Sequence, residues 1–210
     1  MHRPRSRRAL LTSAAATVAV ATGGFEYASN ATDTPPLESG TVSPDWYECS
    51  SVTRPEPTAP ADDDALAPEP YPAPPSAIGP AAAHNRTTGS TSMVDRTVAY
   101  VTEFERAYRR NAFLAQYGVT TRTFELRRTD YRTRTLGSSP DPNAIMVAIL
   151  YDLRMGTRQS ATGPRDQWDV HTVYYVDEHV VLRALYNGVA DELQFEPDPR
   201  TQGDLVACFD

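Results

Sequence analysis

The sequence predicts an α+β domain, one long N-terminal helix packed on a four-stranded antiparallel sheet, preceded by a disordered Pro- and acid-rich arm. Three observations carry that expectation. Apolar residues recur in steps of three and four from Val94 to Ala115, the signature of one buried helix face. The chain beyond is rich in Val, Ile, Thr and Tyr, with stretches that alternate in period two. Ahead of the helix, residues 35–80 hold 12 of the 18 prolines.

The N-terminus reads as a targeting segment. Arg3, Arg5, Arg7 and Arg8 form a cationic start, Ala9 to Ala21 a short, moderately apolar run, and Ala19-Val20-Ala21 a small-x-small cleavage site. Ser6-Arg7-Arg8 followed by Leu10-Leu11 has the form of a twin-arginine signal, which implies export of an already folded protein. The alternative is an arginine-rich disordered start. Cleavage after Ala21 removes four arginines and takes the formal charge from -7 to -11.

Residues 22–89 form the arm. Acids dominate it, among them Asp62-Asp63-Asp64, and it has too little apolar surface to offset the entropy of ordering. Dense proline favours extended polyproline II, hence a stiff spacer; a Pro-rich ligand for a recognition domain is the alternative. Asp45-Trp46-Tyr47-Glu48-Cys49 breaks the pattern, and Leu205-Val206-Ala207-Cys208-Phe209 closes the chain. In an exported protein two such cysteines suggest one disulfide, Cys49–Cys208, pinning residues 45–50 to the domain; two free thiols are the competing reading. Asn30-Ala31-Thr32 and Asn85-Arg86-Thr87 are acceptor sequences for glycosylation at Asn30 and Asn85.

The domain spans residues 90–210. Ser92 with Asp95 resembles a capping box, the helix covers about residues 93–116, and Gly118 supplies a left-handed stop. Val119 to Leu136 suits a long, half-exposed strand, residues 138–143 a turn, and the nearly all-apolar Ala144 to Met155 a central strand. Residues 156–166 read as a loop. Trp168, Val170, Tyr174 and Val176 then alternate on the side expected to face the helix, residues 177–179 turn, and Val180, Leu182, Ala184 and Tyr186 alternate again. Residues 188–203 look irregular, and a final short strand leads to Cys208.

Composition excludes several functions. The 20 basic residues are all arginine and are outnumbered by 27 acids, which argues against a nucleic-acid binder and, with no lysine, rules out Schiff-base chemistry. An acidic surface with arginine as its sole cation is expected of a protein kept soluble in brine. No apolar run is long enough for a transmembrane helix. Glycine-rich phosphate loops, His-Glu-x-x-His and Gly-x-Ser-x-Gly are absent, so no catalytic residue, cofactor or metal is assigned.

Two constellations remain. Arg122, Arg127, Arg128, Arg132 and Arg134, interleaved with Phe124 and Tyr131, make an anion-binding strip or, more plainly, a solvated strand face paired with neighbouring acids. His171 shares parity with Asp169, Val173 and Tyr175, which puts it on the outer face of the sheet; His84 lies in the arm and His179 at a hairpin tip.

Pro70-Tyr71-Pro72, the run Phe104-Glu105-Arg106-Ala107-Tyr108-Arg109-Arg110-Asn111, Asp198-Pro199-Arg200 and the terminal Cys208 resemble a group of uncharacterised exported haloarchaeal proteins. The resemblance covers about residues 70–210 and implies an extracytoplasmic, salt-adapted setting with no assigned activity. Relatives of that kind include lipoproteins, and this chain has no cysteine near the cleavage point, which puts anchoring in doubt. The helix-on-meander layout resembles cystatin-like and NTF2-like folds, although the inhibitory Gln-x-Val-x-Gly loop of cystatins is missing. The leading expectation is an exported, non-enzymatic binding or structural module whose partner is a protein, a glycan or the cell surface. The alternative is a small-molecule binder or enzyme with a pocket between helix and sheet, lined by His171, Asp152 or Tyr174.

Overall fold

A computed structural model of the chain describes residues 40–75, 92–137, 143–158, 164–186 and 192–209. The predicted signal, Asn30, Asn85 and His84 lie outside them. The helix α1 runs Met93–Tyr117. Ser92 Oγ accepts from the Asp95 N–H at 3.1 Å, satisfying one of the donors a helix start leaves unpaired. At the other end Gly118 takes φ +52 and its N–H bonds the Leu114 carbonyl, a left-handed exit that a side chain would strain.

Five strands follow: β1 Thr121–Leu136, β2 Ala144–Thr157, β3 Arg165–Asp177, β4 Val180–Leu185 and, after the short helix α2 Pro199–Gln202, β5 Asp204–Cys208. They pair antiparallel in chain order, β1-β2-β3-β4-β5. The sheet therefore has one strand more than the four expected. Asp204–Cys208 is short, but its apolar alternation lets Leu205 and Ala207 pair with Leu182 and Val181 of β4. β2 and β3 also extend further toward each other than expected, taking up both ends of the stretch read as a loop over 156–166.

Both faces of the central part of the sheet are covered. On the first, odd-numbered β2 residues Ile145 to Leu153 meet Tyr174 and Val176 of β3, Val181 of β4, and Val98, Val101 and Phe104 of α1. On the second, Ala144, Met146 and Ala148 with Val173, Tyr175 and Leu182 are roofed by Val42, Tyr47 and Val52 and by Leu193 and Phe195. Such burial removes apolar area from water at roughly 25 cal/mol per Å². This second roof corrects two expectations. His171 does share a face with Val173 and Tyr175, but that face is internal and His171 is buried. Residues 40–75, assigned to a spacer over 22–89 that is held to the domain only at 45–50, lie along the domain instead.

The arm is held by specific partners that its own composition does not disclose. Val42 N–H bonds the Tyr175 hydroxyl at 2.9 Å, and Arg200, itself clasped by Asp198, donates to the Gly40 carbonyl at 2.6 Å. Thr53 N–H bonds the Leu205 carbonyl at 2.8 Å, giving the outer edge of β5 a partner. Asn111 of α1 exchanges two 2.9 Å hydrogen bonds with the backbone of Glu69. Tyr71 rests on Phe104 with ring centroids 4.9 Å apart. The proline-rich stretch thus presents its backbone N–H and carbonyl groups to side chains of the domain.

Cys49 and Cys208 are joined by a disulfide with Cα atoms 5.5 Å apart, as the sequence reading expects. It ties the arm to the last strand across 159 residues. No helix among the described residues is long and apolar enough to cross a membrane.

Candidate functional site

The most unusual chemistry of the molecule lies in the helix–sheet contact. Glu105 sits on α1 four residues after Val101 and three before Tyr108, so the helical period places a carboxylate on the apolar stripe. It is completely buried. Arg183 of β4 meets it with two parallel bonds, Nε to Oε2 and Nη2 to Oε1, both 2.8 Å. Tyr151 of β2 donates to Oε1 and Tyr174 of β3 to Oε2, each at 2.5 Å, and Thr172 donates to Oε1 at 3.4 Å. The guanidinium also lies over the Tyr108 ring, 4.2 Å from its centroid. One helix and three strands converge on a single carboxylate.

Burial by itself pushes the Glu105 carboxyl up, but the charge of Arg183 and the bonds from Arg183, Tyr151 and Tyr174 outweigh it and hold the pKa below the ordinary carboxylate range. Burial and the adjacent carboxylate push the Tyr151 and Tyr174 hydroxyls up, so both stay protonated donors. Every oxygen lone pair of consequence on Glu105 faces a donor. Such a fully paired ionic cluster orients the elements around it; its groups are spent on one another.

Sequence reasoning passed over both charged members. Glu105 was detectable, since it interrupts the stripe Val98-Val101-Tyr108. Arg183 was not, because β4 is apolar on both parities: Val180 and Leu182 belong to the second face, Val181 and Arg183 to the helix face.

The residues proposed to line a helix–sheet pocket do not meet. Tyr174 faces the helix, whereas His171 and Asp152 point to the opposite side of the sheet. Asp152 Oδ2 takes a 2.8 Å bond from Arg127. His171 Nε2 donates to the Gln194 carbonyl at 2.9 Å, its ring lies 5.4 Å from that of Tyr186, and its buried Nδ1 has no hydrogen-bond partner among the described residues. Burial lowers its pKa below the usual 6.5 despite the Gln194 bond. The unfolded chain therefore binds more protons than the folded one below about pH 6.5, and stability contributed by neutral His171 is lost as pH falls from there through the folded value. In urea titrations between about pH 7.5 and 5.5, the wild type should lose stability with falling pH and His171→Phe should show a flatter profile. Equal slopes would remove His171 as the cause.

The five arginines are likewise distributed rather than assembled. β1 carries an extra residue between Arg128 and Asp130, which flips the side-chain alternation along the strand. Arg128 consequently reaches Thr102 on α1 and stacks on Tyr131, while Arg127, Arg132 and Arg134 project from the other face. There Arg132 donates to the Leu193 carbonyl at 2.9 Å, and Arg134 lies over Phe195 at 4.6 Å. Arg122, at the strand start, pairs with Asp62 of the arm at 2.9 Å. The arginines serve largely to fasten other segments to β1.

A second bulge moves Trp168. β3 has one residue more than β2 between Val170 and Gln167, where Asp169 takes φ +54. Upstream of it the parity is reversed, so Gln167 turns to the helix side and Trp168, expected to face the helix, is 66% exposed. The reversal opens a cleft of about 270 Å³ between the C-terminal end of α1 and the ends of β2 and β3. Arg109, Phe113, Tyr117, Met155, Arg165 and Gln167 are among its lining residues. Among the described residues, no three His, Cys, Asp or Glu side chains gather as a metal site would require. Comparison with known proteins returned no matching family model, no matching curated protein and no matching solved structure.

Proposed function

We propose that the chain is an exported, salt-adapted binding or structural module with no catalytic role, acting on a protein, glycan or cell-surface partner. The observation that carries this reading is the Glu105–Arg183 centre. Glu105, Arg183, Tyr151 and Tyr174 are buried and saturate one another, as structural ion-pair networks do, instead of facing a site where a substrate would sit. The Cys49–Cys208 bond supports an oxidising compartment, where such bonds persist. The resemblance to exported haloarchaeal proteins and to the cystatin-like or NTF2-like layout belongs to the same proposal.

The test is expression of the full chain with its own leader in a host that has twin-arginine export, followed by N-terminal sequencing and thiol counting. The expected product lies outside the cytoplasm, begins after Ala21 and has no free thiol. An intracellular, unprocessed, reduced product would overturn the export reading. Salt adaptation has its own readout. With a net charge near -11 after processing, self-repulsion opposes the folded state until salt screens it, so Tm should climb from about 0.2 M to about 3 M NaCl. A Tm that stays level or falls would sink it.

The alternative, a small-molecule binder with a pocket between helix and sheet, is favoured by one feature. A cleft does exist there, but at the C-terminal end of α1 and without His171, Asp152 or Tyr174 in its lining.

A further inference from the structure

The cleft beside the end of α1 has a charge opposite to that of the chain as a whole. Acids outnumber arginines 27 to 20 overall, yet the described lining contains Arg109 and Arg165 and no carboxylate. The connecting residues 159–163 carry no charge in the sequence either. Neighbouring arginines on the same helix are neutralised: Arg106 pairs with Glu69 at 2.6 Å and Arg110 with the same carboxylate at 3.8 Å. Arg109 instead is steadied by a neutral group, donating from Nη2 to Gln167 Oε1 at 3.1 Å, and among the described residues no carboxylate pairs with its fork. Arg165 comes to the same side because it pairs in register with Met155, on the helix-facing parity of β2. Phe113 and Met155 make the inner wall apolar, and Tyr117 stacks near Phe113 with centroids 5.0 Å apart.

We propose that this cleft binds a small amphipathic carboxylate, its oxygens held by Arg109 and Arg165 and its apolar body laid against Phe113 and Met155. Guanidinium forks match carboxylates in shape and charge, and a concave site with apolar walls and a few convergent polar groups is the general form of a ligand pocket. The size sets the class. An apolar cavity of roughly 150 Å³ holds benzene, so 270 Å³ accommodates one ring or a short alkyl chain with its acid group. This inference rests on reading the chain as a binding module and names the ligand chemistry of that module.

The experiment is a calorimetric and NMR titration of the full chain at about 0.1 M NaCl, where charges within the cleft are not screened from one another. The probe is 4-phenylbutyrate, with 4-phenylbutan-1-ol and 4-phenylbutylamine as neutral and cationic counterparts. The carboxylate should bind saturably with a Kd of about millimolar, as expected for so small a ligand. The alcohol should bind at least about tenfold more weakly, which is the scale of one charge-assisted contact. Arg109→Gln and Arg165→Gln should each weaken the carboxylate by about fivefold or more, and Ala112→Leu, which fills the cleft, should abolish binding. Arg96→Gln, at the far end of α1, should match the wild type. Arg165 is exposed on a strand end, so its variant keeps the test valid if Arg109→Gln disturbs folding, and Tm values identify that case.

Equal affinity for the alcohol, indifference to Arg165→Gln, or no saturable binding by the folded wild type would each overturn the proposal. A protein that is processed after Ala21 and oxidised but ignores 4-phenylbutyrate loses the cleft assignment alone. A cytoplasmic, reduced protein that binds it loses the export reading and keeps the site.

Discussion

Arg183→Met is expected to destabilise the domain by about 3–5 kcal/mol at neutral pH, because it leaves the carboxylate of Glu105 buried without its cation. The pH dependence gives the mechanism away. In the wild type the Glu105 pKa is depressed, so its contribution to stability is complete above the unfolded value near 4.5 and is lost as pH falls through the folded value. Without Arg183, desolvation dominates and raises the folded pKa. The folded state then binds the extra proton, and stability contributed by this group increases as pH drops toward about 5. Urea unfolding at about pH 7.5 and pH 5 therefore distinguishes a lost charge pair from a mere packing defect, which would lower stability equally at both.

The partner substitution completes the cycle. Glu105→Gln combined with Arg183→Met removes both charges yet keeps an acceptor for one of the Tyr151 and Tyr174 hydroxyls and presents an N–H to the oxygen of the other, so neither is left as a buried orphan at about 1–3 kcal/mol. The double variant should recover most of the loss seen with Arg183→Met alone, a non-additivity that double-mutant cycles measure directly. Losses that simply add would show that the four groups do not act as a unit.

Loss of the disulfide is the second large expected effect. Replacing Cys49 and Cys208 together by serine frees a loop of 159 residues, which chain-entropy reasoning values on the order of 5 kcal/mol, with about 2–5 kcal/mol typical of measured removals. For a domain of this size that is a fall in Tm of about 10 °C. The consequence should also be local. Residues 40–53 roof the second face through Val42, Tyr47 and Val52, and their anchors besides the disulfide include the Val42–Tyr175 and Arg200–Gly40 bonds and the Thr53–Leu205 pairing. Limited proteolysis should cut the serine variant first within residues 40–53. An unchanged Tm and an unchanged cleavage pattern would mean that packing alone secures the roof.

Local rules made much of the fold legible. The helix follows from a stripe at steps of three and four, its start from Ser92 and Asp95, and its stop from Gly118. Each is a property of a few adjacent residues. β2 was readable because Ala144 to Met155 is apolar on both parities, as a strand buried on both faces must be. The cysteine pair was readable because two cysteines in a chain whose N-terminus reads as an export signal leave few other roles.

The rest depended on residues far apart in sequence. Period-two alternation assigns faces only while the ladder is regular, and single-residue bulges near Thr129 and Asp169 reversed it without leaving a compositional mark. That is why the five arginines scatter and why Trp168 and Gln167 exchange sides. The arm looked too polar to order itself, and its apolar content is indeed small. It is ordered over residues 40–75 because the domain supplies partners such as Tyr175, Asn111 and Phe104.

By itself, then, the sequence determined the class of the fold, the order and type of its main elements, and the cysteine pairing, all set by short-range periodicity and composition. Only the tertiary structure decided that both faces of the central part of the sheet are buried, that Glu105 meets Arg183 across 78 residues, and that two arginines border an acid-free cleft. Those outcomes are set by strand register and by which charges burial brings together, and neither is encoded in any local stretch of the chain.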